Sequence, residues 1–386
     1  MAARSAVIVG GGIGGLATAL GLSRIGWTVH LLEQTPAVDA VGAGLSLWPN
    51  AVRALDALGV GGAVREAGVR TATRGNLREP SGAWLRRETP EDEQVVAVHR
   101  ADLHRVLADA LPAGVLRTGA EVTGVRESDV DVAVCFEHEG EVGDLHADVA
   151  VAADGVDSLV RRSLWRDAGG PVFRGRTVWR GVTPPGSVWP VDECLTLGPG
   201  EQFGLVPIGG ERVYWFLVAN ADEGVRYADE PKEVDRRVGA WHEPIPEVVA
   251  VTPPAAVLHH DVHDLDPVGS YVRGRTALLG DAAHAMTPDL GQGACQAIED
   301  AVTLASCLGA GQDVAAALAA YDERRRPRTQ AMLRAARQSN ALNCAEHGPR
   351  LALVRFAARR LPPRAWRRRT GKWTRWTPPP LPPAAS

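Results

Sequence analysis

The sequence predicts an α/β chain (α+β overall) in which a parallel-sheet nucleotide domain is interleaved with a second domain built on an antiparallel sheet. Three observations predict it. A strand–glycine turn–helix–strand unit opens the chain. Two short buried-strand runs far downstream end in Asp-Gly and in Gly-Asp, and a β-rich stretch lies between them.

The opening unit starts with Ala6-Val7-Ile8-Val9, a continuous apolar run that suits a strand buried on both faces. Gly10, Gly12 and Gly15 follow in G-x-G-x-x-G spacing, with Gly14 inside it, and a helical pattern runs through Ile13, Leu16, Ala17, Leu20 and Ile25. The next apolar run ends in Glu33. Such a unit is Rossmann-like: Gly10 permits the tight turn, Gly12 lets backbone approach a diphosphate, and Gly15 allows close helix–strand packing. The diphosphate sits on the helix N-terminus and Glu33 accepts ribose hydroxyls. The unit by itself does not separate FAD from NAD.

The second run is Val149-Ala150-Val151-Ala152-Ala153, leading to Asp154-Gly155-Val156-Asp157-Ser158-Leu159-Val160-Arg161. The third, Thr276-Ala277-Leu278-Leu279, leads to Gly280-Asp281-Ala282-Ala283-His284 and then to Pro288-Asp289-Leu290-Gly291-Gln292-Gly293. A helical stretch follows, with apolar residues at 298, 301, 302, 304 and 305. The amides that open it make a positive helix end, which suits negative charge. Asp154 also reads as a turn aspartate, Arg161 as a solvated helix charge, and His284 as a satisfied histidine at a strand–helix junction. Cys295 and Cys307 read as small buried apolar residues.

Between these motifs, residues 172–265 alternate β-rich runs with Pro/Gly turns such as Pro184-Pro185-Gly186 and Gly209-Gly210, the pattern of an antiparallel sheet. The stretch around 72–98 is expected to join it. Trp179, Trp189 and Trp215 read first as a packed sheet face. Beyond residue 345, the segment 355–375 carries nine basic residues with Trp366 and Trp373, and Trp376 and a proline-rich end follow. This reads as a basic, partly helical extension with a disordered end that nothing else in the chain requires. A membrane-surface role is the weaker reading of the same residues.

The three motifs, in this order, resemble the dinucleotide fingerprint, the DG motif and the GD motif of the para-hydroxybenzoate-hydroxylase-like (group A) flavoprotein monooxygenases. The resemblance covers roughly residues 5–340, and the stretch from Gly42 to Asn50 is similar to the salicylate- and urate-hydroxylase branch. It implies FAD as cofactor, NADH or NADPH as co-substrate, and an aromatic small molecule and O2 as the reacting partners. The implied cofactor contacts are Gly10, Gly12, Gly14, Gly15, Glu33, Gln34, Ser46, Arg100 and Val122 from the first part of the chain. Asp154, Gly155, Asp281, Pro288, Gly291, Gln292, Gly293, Ala294 and Cys295 complete them.

On the same basis residues 1–71, 95–171 and 266–345 form a discontinuous, Rossmann-like FAD-binding domain. Residues 72–94 and 172–265 form the substrate domain, and 346–386 the extension. Tyr214, Asp289 and Arg180 are the candidate catalytic residues. Trp48, Trp215 and Pro288 are further candidates to line the pocket. Urate-hydroxylating relatives carry a substrate-gripping arginine near Gln202; the glutamine here argues against urate itself. Flavin halogenases share the architecture but use an active-site lysine and a W-x-W-x-I signature. The only lysines here are Lys232 and Lys372, and the signature is missing. Epoxidation by the same cofactor, another flavin oxidoreduction and a non-catalytic flavin-binding role stay open.

Composition bounds the rest. At 386 residues two domains are the starting expectation. Apolar residues at 45% and charged residues at 23% describe an ordinary globular chain, and a net charge of −4 carries no nucleic-acid signature. Cys135, Cys194, Cys295, Cys307 and Cys344 form no C-x-x-C pair, so neither a disulfide framework nor a metal site is expected. No apolar stretch reaches membrane-spanning length. A cytoplasmic enzyme, monomeric or homodimeric, is the resulting expectation.

Overall fold

The computed structural model describes residues 4–36, 43–71, 76–87, 95–311, 313–347, 356, 359–360 and 371–382. Gly42, parts of the 72–94 segment and most of the basic stretch 348–370, Trp366 included, lie outside the described residues.

Six strands form the nucleotide sheet, in the order Val272–Arg273, Thr276–Leu278, Val149–Ala152, Ser5–Val9, Thr28–Glu33 and Leu116–Thr118. Neighbours run parallel except the hairpin at the Val272–Arg273 edge. The apolar runs read from the sequence are its central strands, and Ala6, Val7, Ile8 and residues 149–152 have no exposed surface. Helix Ile13–Arg24 is buried on nearly every side because helix Gly293–Gly309 crosses directly over it. Gly21 allows that approach: a Cβ there would stand 3.0 Å from the Cβ of Ala305. A three-stranded antiparallel meander, Ala120–Glu127, Val132–His138 and Glu141–Ala147, packs Val132, Val134, Phe136 and Ala147 into the same core.

The second sheet has seven strands, with Val172–Val182, Arg212–Asn220 and Glu201–Ile208 at its centre. Leu77–Arg78 and Trp84–Arg86 extend one edge. Side chains alternate across a strand, and here the two faces have different chemistry. Trp179, Phe203, Leu205, Trp215 and Leu217 face helices Glu230–Val238 and Ile245–Val251, with Trp189 packed alongside. Arg176, Val178, Arg180, Gln202, Tyr214 and Phe216 share the opposite parity. That face meets the nucleotide domain through Ala43 and Ala97.

Helix Gly293–Gly309 buries two carboxylates, Glu299 and Asp300, neither with exposed surface. Arg325, in helix Val314–Asn343, donates to both at 2.5 Å. Arg328 donates to Glu299 at 2.8 and 2.9 Å, and His284 pairs with Asp300 at 2.6 Å. Burial alone pushes both acids up; the arginines outweigh it and hold them below their ordinary values. Asn50 and Gln296 donate to Glu299 and to the side-chain oxygen of Gln292, which carries the network to the start of the helix.

The proline-rich end departs from the expected disorder. The indole of Trp376 lies beside Arg325, and Arg328 donates to the Trp373 carbonyl. Arg53 donates to the carbonyls of Thr374 and Trp376, and Ser306 to that of Pro380. Residues 371–382 therefore strap the buried ion cluster. Composition marked them as solvated, but their carbonyls are taken up by arginines from distant helices.

Breaking one partner of a buried charge pair strands the other, at a cost of about 3–5 kcal/mol. Arg325→Met is expected to lose stability of that order in urea unfolding. Truncation after residue 370 is expected to lower the melting temperature by a smaller amount while unfolding stays cooperative.

Candidate functional site

The three glycines of the N-terminal turn do three separate things. Gly10 adopts φ +98°, and a Cβ there would lie 2.5 Å from the Ala153 carbonyl oxygen, so only glycine fits between the two strand ends. A Cβ on Gly15 would lie 1.9 Å from the Gly10 carbonyl oxygen, which is the close helix–turn packing expected. A Cβ on Gly12 would meet nothing within 4 Å. Gly12 borders open space, where a diphosphate would approach its backbone. Gly14 packs on Leu279 and Ala297.

The Glu33 carboxylate accepts from the amides of Gly11 at 2.6 Å and Thr35 at 2.8 Å, beside the turn. Gln34 is exposed next to it, and Val122 is half-buried in the meander. Arg100 is exposed at the start of helix Arg100–Asp109, and its amide donates to Ala43. His104, one turn further along that helix, meets the Gly11 carbonyl at 2.7 Å and fixes the glycine turn from outside. Sequence reading missed His104; the one available signal is its i+4 spacing from Arg100.

Gln292 caps helix Gly293–Gly309. The first amide to find an intrahelical partner is that of Gln296, which donates to the Gln292 carbonyl at 2.8 Å. The amides of Gly293, Ala294 and Cys295 thus form the open, electropositive end of the helix. A Cβ on Gly293 would stand 3.8 Å from Oδ1 of Asp281, whose residue is exposed. Gly291 is in the left-handed region, and a Cβ there would crowd the Trp48 indole nitrogen at 3.2 Å. Ser46 is half-buried on the strand leading to Trp48, and Pro288 is exposed at the loop. The Cys295 thiol is buried against the Ser46 and Gly291 carbonyls, and burial pushes its pKa up to about 12, so it is inert. What Cys295 can offer a ligand is backbone, and the side-chain oxygen of Gln292 is taken up by Asn50 and Gln296.

Asp154 closes its own turn: its carboxylate accepts from the Ser158 hydroxyl at 2.5 Å and the Val160 amide at 3.2 Å. Burial pushes its pKa up against those hydrogen bonds. Gly155 stands in open space beside it. Arg161 is not a solvated charge. It is 2% exposed and donates to the carbonyls of Asp266, Ala282 and Ala283, so it joins the Asp154 turn to the Gly280 turn. His284 is buried and bonded to Asp300, as read.

The mixed face of the seven-stranded sheet closes the site. Strand register sets Tyr214 opposite Val182 and Val206, and Phe216 opposite Arg180 and Gly204. The Tyr214 ring lies where a Cβ on Gly44 would be, 2.5 Å from its Cγ. Burial pushes the phenol up, and the neighbouring Arg180 guanidinium pulls it the other way. Asp289 does not join that pair. Its Oδ1 accepts from Arg176 Nη1 at 3.3 Å and Asn343 Nδ2 at 2.7 Å. Trp215, a candidate pocket residue, lies on the opposite face, stacked on Phe203 and donating to Thr252. Strand parity puts it there, one residue out of phase with Tyr214. Arg176 was missed, although it sits four residues before Arg180 and so on the same face.

These features fit a flavin dinucleotide: open space at Gly12, free amides at Gly293–Cys295, and an exposed Asp281 next to Gly293. They define a dinucleotide-dependent oxidoreductase. The chain belongs to the FAD binding domain family, with the match running over residues 4–336. It is 39% identical over 323 residues to an aurachin C monooxygenase/isomerase of Stigmatella aurantiaca, covering 82% of this chain and 83% of that one. It is 36% identical to a 3-amino-4-hydroxybenzoate 2-monooxygenase of Streptomyces cremeus, covering 86% and 85%. The structure superposes on Klebsiella pneumoniae HpxO complexed with FAD and uric acid with a TM-score of 0.88 and 26% identity, over 97% of each chain. The chain is thus an FAD-dependent monooxygenase. Among the described residues no helix is long and apolar enough to cross a membrane.

Gly12→Ala is expected to leave the melting temperature of the FAD-free protein unchanged and to weaken FAD binding at least roughly tenfold, because the methyl enters only ligand space. Gly15→Ala is expected to destabilise the FAD-free protein itself. Thermal melts and flavin fluorescence titration separate the two.

Proposed function

We propose that this enzyme hydroxylates an aromatic or heteroaromatic ring in the space between the Gly291–Gly293 loop and the mixed sheet face, with NADH or NADPH as electron donor and O2 as oxygen source. The observation that carries the reading is that Tyr214 and Arg180 are neighbours on the mixed face, and that Asp289, bonded to Arg176 of the same face, lies in the turn that leads to the backbone amides opening helix Gly293–Gly309. Bound FAD supplies electron transfer and oxygen activation. Gly10, Gly12 and Gly15 would admit its diphosphate, and the Gly293, Ala294 and Cys295 amides would stabilise negative charge on its ring.

Tyr214 keeps its proton, since burial pushes its pKa up, and so can donate to a substrate oxygen. Arg180 favours negative charge developing on that oxygen, and the apolar residues around them exclude water. Gln202, buried on the same face opposite Val218, supports a ring other than urate. The division of labour follows: residues 1–71, 95–171 and 266–345 hold FAD, and 72–94 with 172–265 hold the substrate. We further place the enzyme in the cytoplasm, as a monomer or homodimer.

FAD-loaded protein screened against hydroxybenzoates, aminobenzoates, hydroxyquinolines and purines is expected to oxidise NAD(P)H faster with at least one ring, and mass analysis to find the product one oxygen heavier. No stimulation by any ring, or a protein that binds no FAD, overturns the reading. Tyr214→Phe and Arg180→Met are each expected to lower kcat/KM for the active ring by about 10²-fold or more, with FAD affinity retained.

A further inference from the structure

Arg176 is among the largest side chains with almost no exposed surface, and it comes from the strand that also carries Arg180. A buried guanidinium needs a counter-charge and full hydrogen bonding. It has the first in Asp289, 3.3 Å away, with both side chains at 2% exposure or less. Burial pulls the Arg176 pKa down and Asp289 pushes it back. Nη2 donates to the Val218 carbonyl at 3.4 Å.

The pairing is incomplete in a specific way. An arginine and a carboxylate can form a two-pronged fork that uses both oxygens. Here Arg176 and Asn343 both converge on Oδ1, at 3.3 and 2.7 Å. Oδ2 of Asp289 is buried and has no hydrogen-bond partner among the described residues, and neither has Nε of Arg176. A buried carboxylate oxygen without a donor is costly, and in a native protein it calls for an occupant. Asp289 lies in the Pro288–Leu290 turn, directly before Gly291 and the amides that open the next helix.

We infer that Arg176 is a positioning residue: together with Asn343 it engages one oxygen of Asp289 and reserves the other, Oδ2, for a hydrogen-bond donor carried by the substrate ring. The inference rests on the reading under Proposed function and sharpens it. The ring carries a hydroxyl, an amine or a ring N–H on the side that meets Asp289, and rings without such a donor are discriminated against. Arg176 touches neither substrate nor cofactor in this arrangement. It compensates the buried charge and sets which oxygen is free, and Asn343, at the end of the long helix, shares that task.

The test uses full-length, FAD-loaded protein and three probe sets: salicylate with 2-methoxybenzoate and benzoate, 4-hydroxybenzoate with 4-methoxybenzoate and benzoate, and 4-hydroxyquinoline with 4-methoxyquinoline and quinoline. Binding is read from the change in flavin absorbance. The wild type is expected to prefer at least one hydroxylated ring over both its methyl ether and its unsubstituted parent by about tenfold or more, the range of one hydrogen bond to a charged group. Arg176→Met is expected to bring that ratio close to one and Arg176→Lys to restore part of it. Asn343→Leu, which leaves all charges in place, is expected to reduce the ratio less. FAD affinity and melting temperature are measured on every variant, so that if Arg176→Met does not fold the lysine and Asn343 variants decide.

A variant set that weakens hydroxylated and donor-free rings equally overturns the inference, since that is what a purely structural role would do. So does a wild type that does not discriminate within any set. If rings stimulate NAD(P)H oxidation while these ratios stay flat, the inference fails alone and the hydroxylase reading stands.

Discussion

Arg325 lies between Glu299 and Asp300 with almost no solvent contact, and the architecture of the site depends on those two ion pairs. A helix with two adjacent buried carboxylates could not cross the nucleotide domain unless their charge were compensated. Once it is, the same carboxylates organise what surrounds them. Asp300 accepts the Gly280 amide at 3.1 Å and the His284 ring, so the Gly-Asp turn that presents Asp281 is held from below. Glu299 accepts from Asn50, which also bonds Gln292, so the turn after Trp48 and the helix cap are tied together. Segments near residues 50, 280, 292 and 325 meet in one network, and the free amides of Gly293–Cys295 stand at its edge. The strap of residues 371–382 covers it.

The second organising feature is the two-faced sheet. One face is apolar and packs on helices, with Trp179 and Trp215 fully buried. The other alternates arginine and tyrosine with small or apolar residues, and it is pressed against the flavin-binding half through Tyr214 on Gly44 and Arg176 on Asp289. At this seam Arg176 is paired with Asp289 of the Pro288–Leu290 turn, and Tyr214 neighbours Arg180 of its own sheet. Gly44 and Gly204 serve the same end: the Tyr214 and Phe216 rings occupy the volume their side chains would have taken.

Much of this was legible in the residues. Glycine at 10, 12 and 15 can be read for its job because steric rules act within a few residues, and the apolar runs 6–9 and 149–153 can form little but buried strands. The Asp154 and Gly280 motifs announced two further strands of the parallel sheet, and the β-rich middle announced the second sheet. Where reading fell short, the deciding partner was remote. A solvated helix charge stayed open as an alternative for Arg161 because the carbonyls it serves, at 266, 282 and 283, are more than a hundred residues away. The strap looked disordered because its prolines and arginines have the composition of a solvated tail.

Local sequence thus determined the elements, their order, the glycine cradle and the class of cofactor, since each depends on backbone sterics and short-range periodicity. Tertiary structure decided which face of each strand meets the site. It turned Trp215 away, set Tyr214 beside Arg180, and paired Asp289 with Arg176 instead. It also decided that Glu299 and Asp300 are neutralised by Arg325 and not by solvent. Those outcomes rest on register, where one residue of shift reverses a face, and on charge pairing between segments far apart in the chain. Neither leaves a signature within any short stretch of sequence.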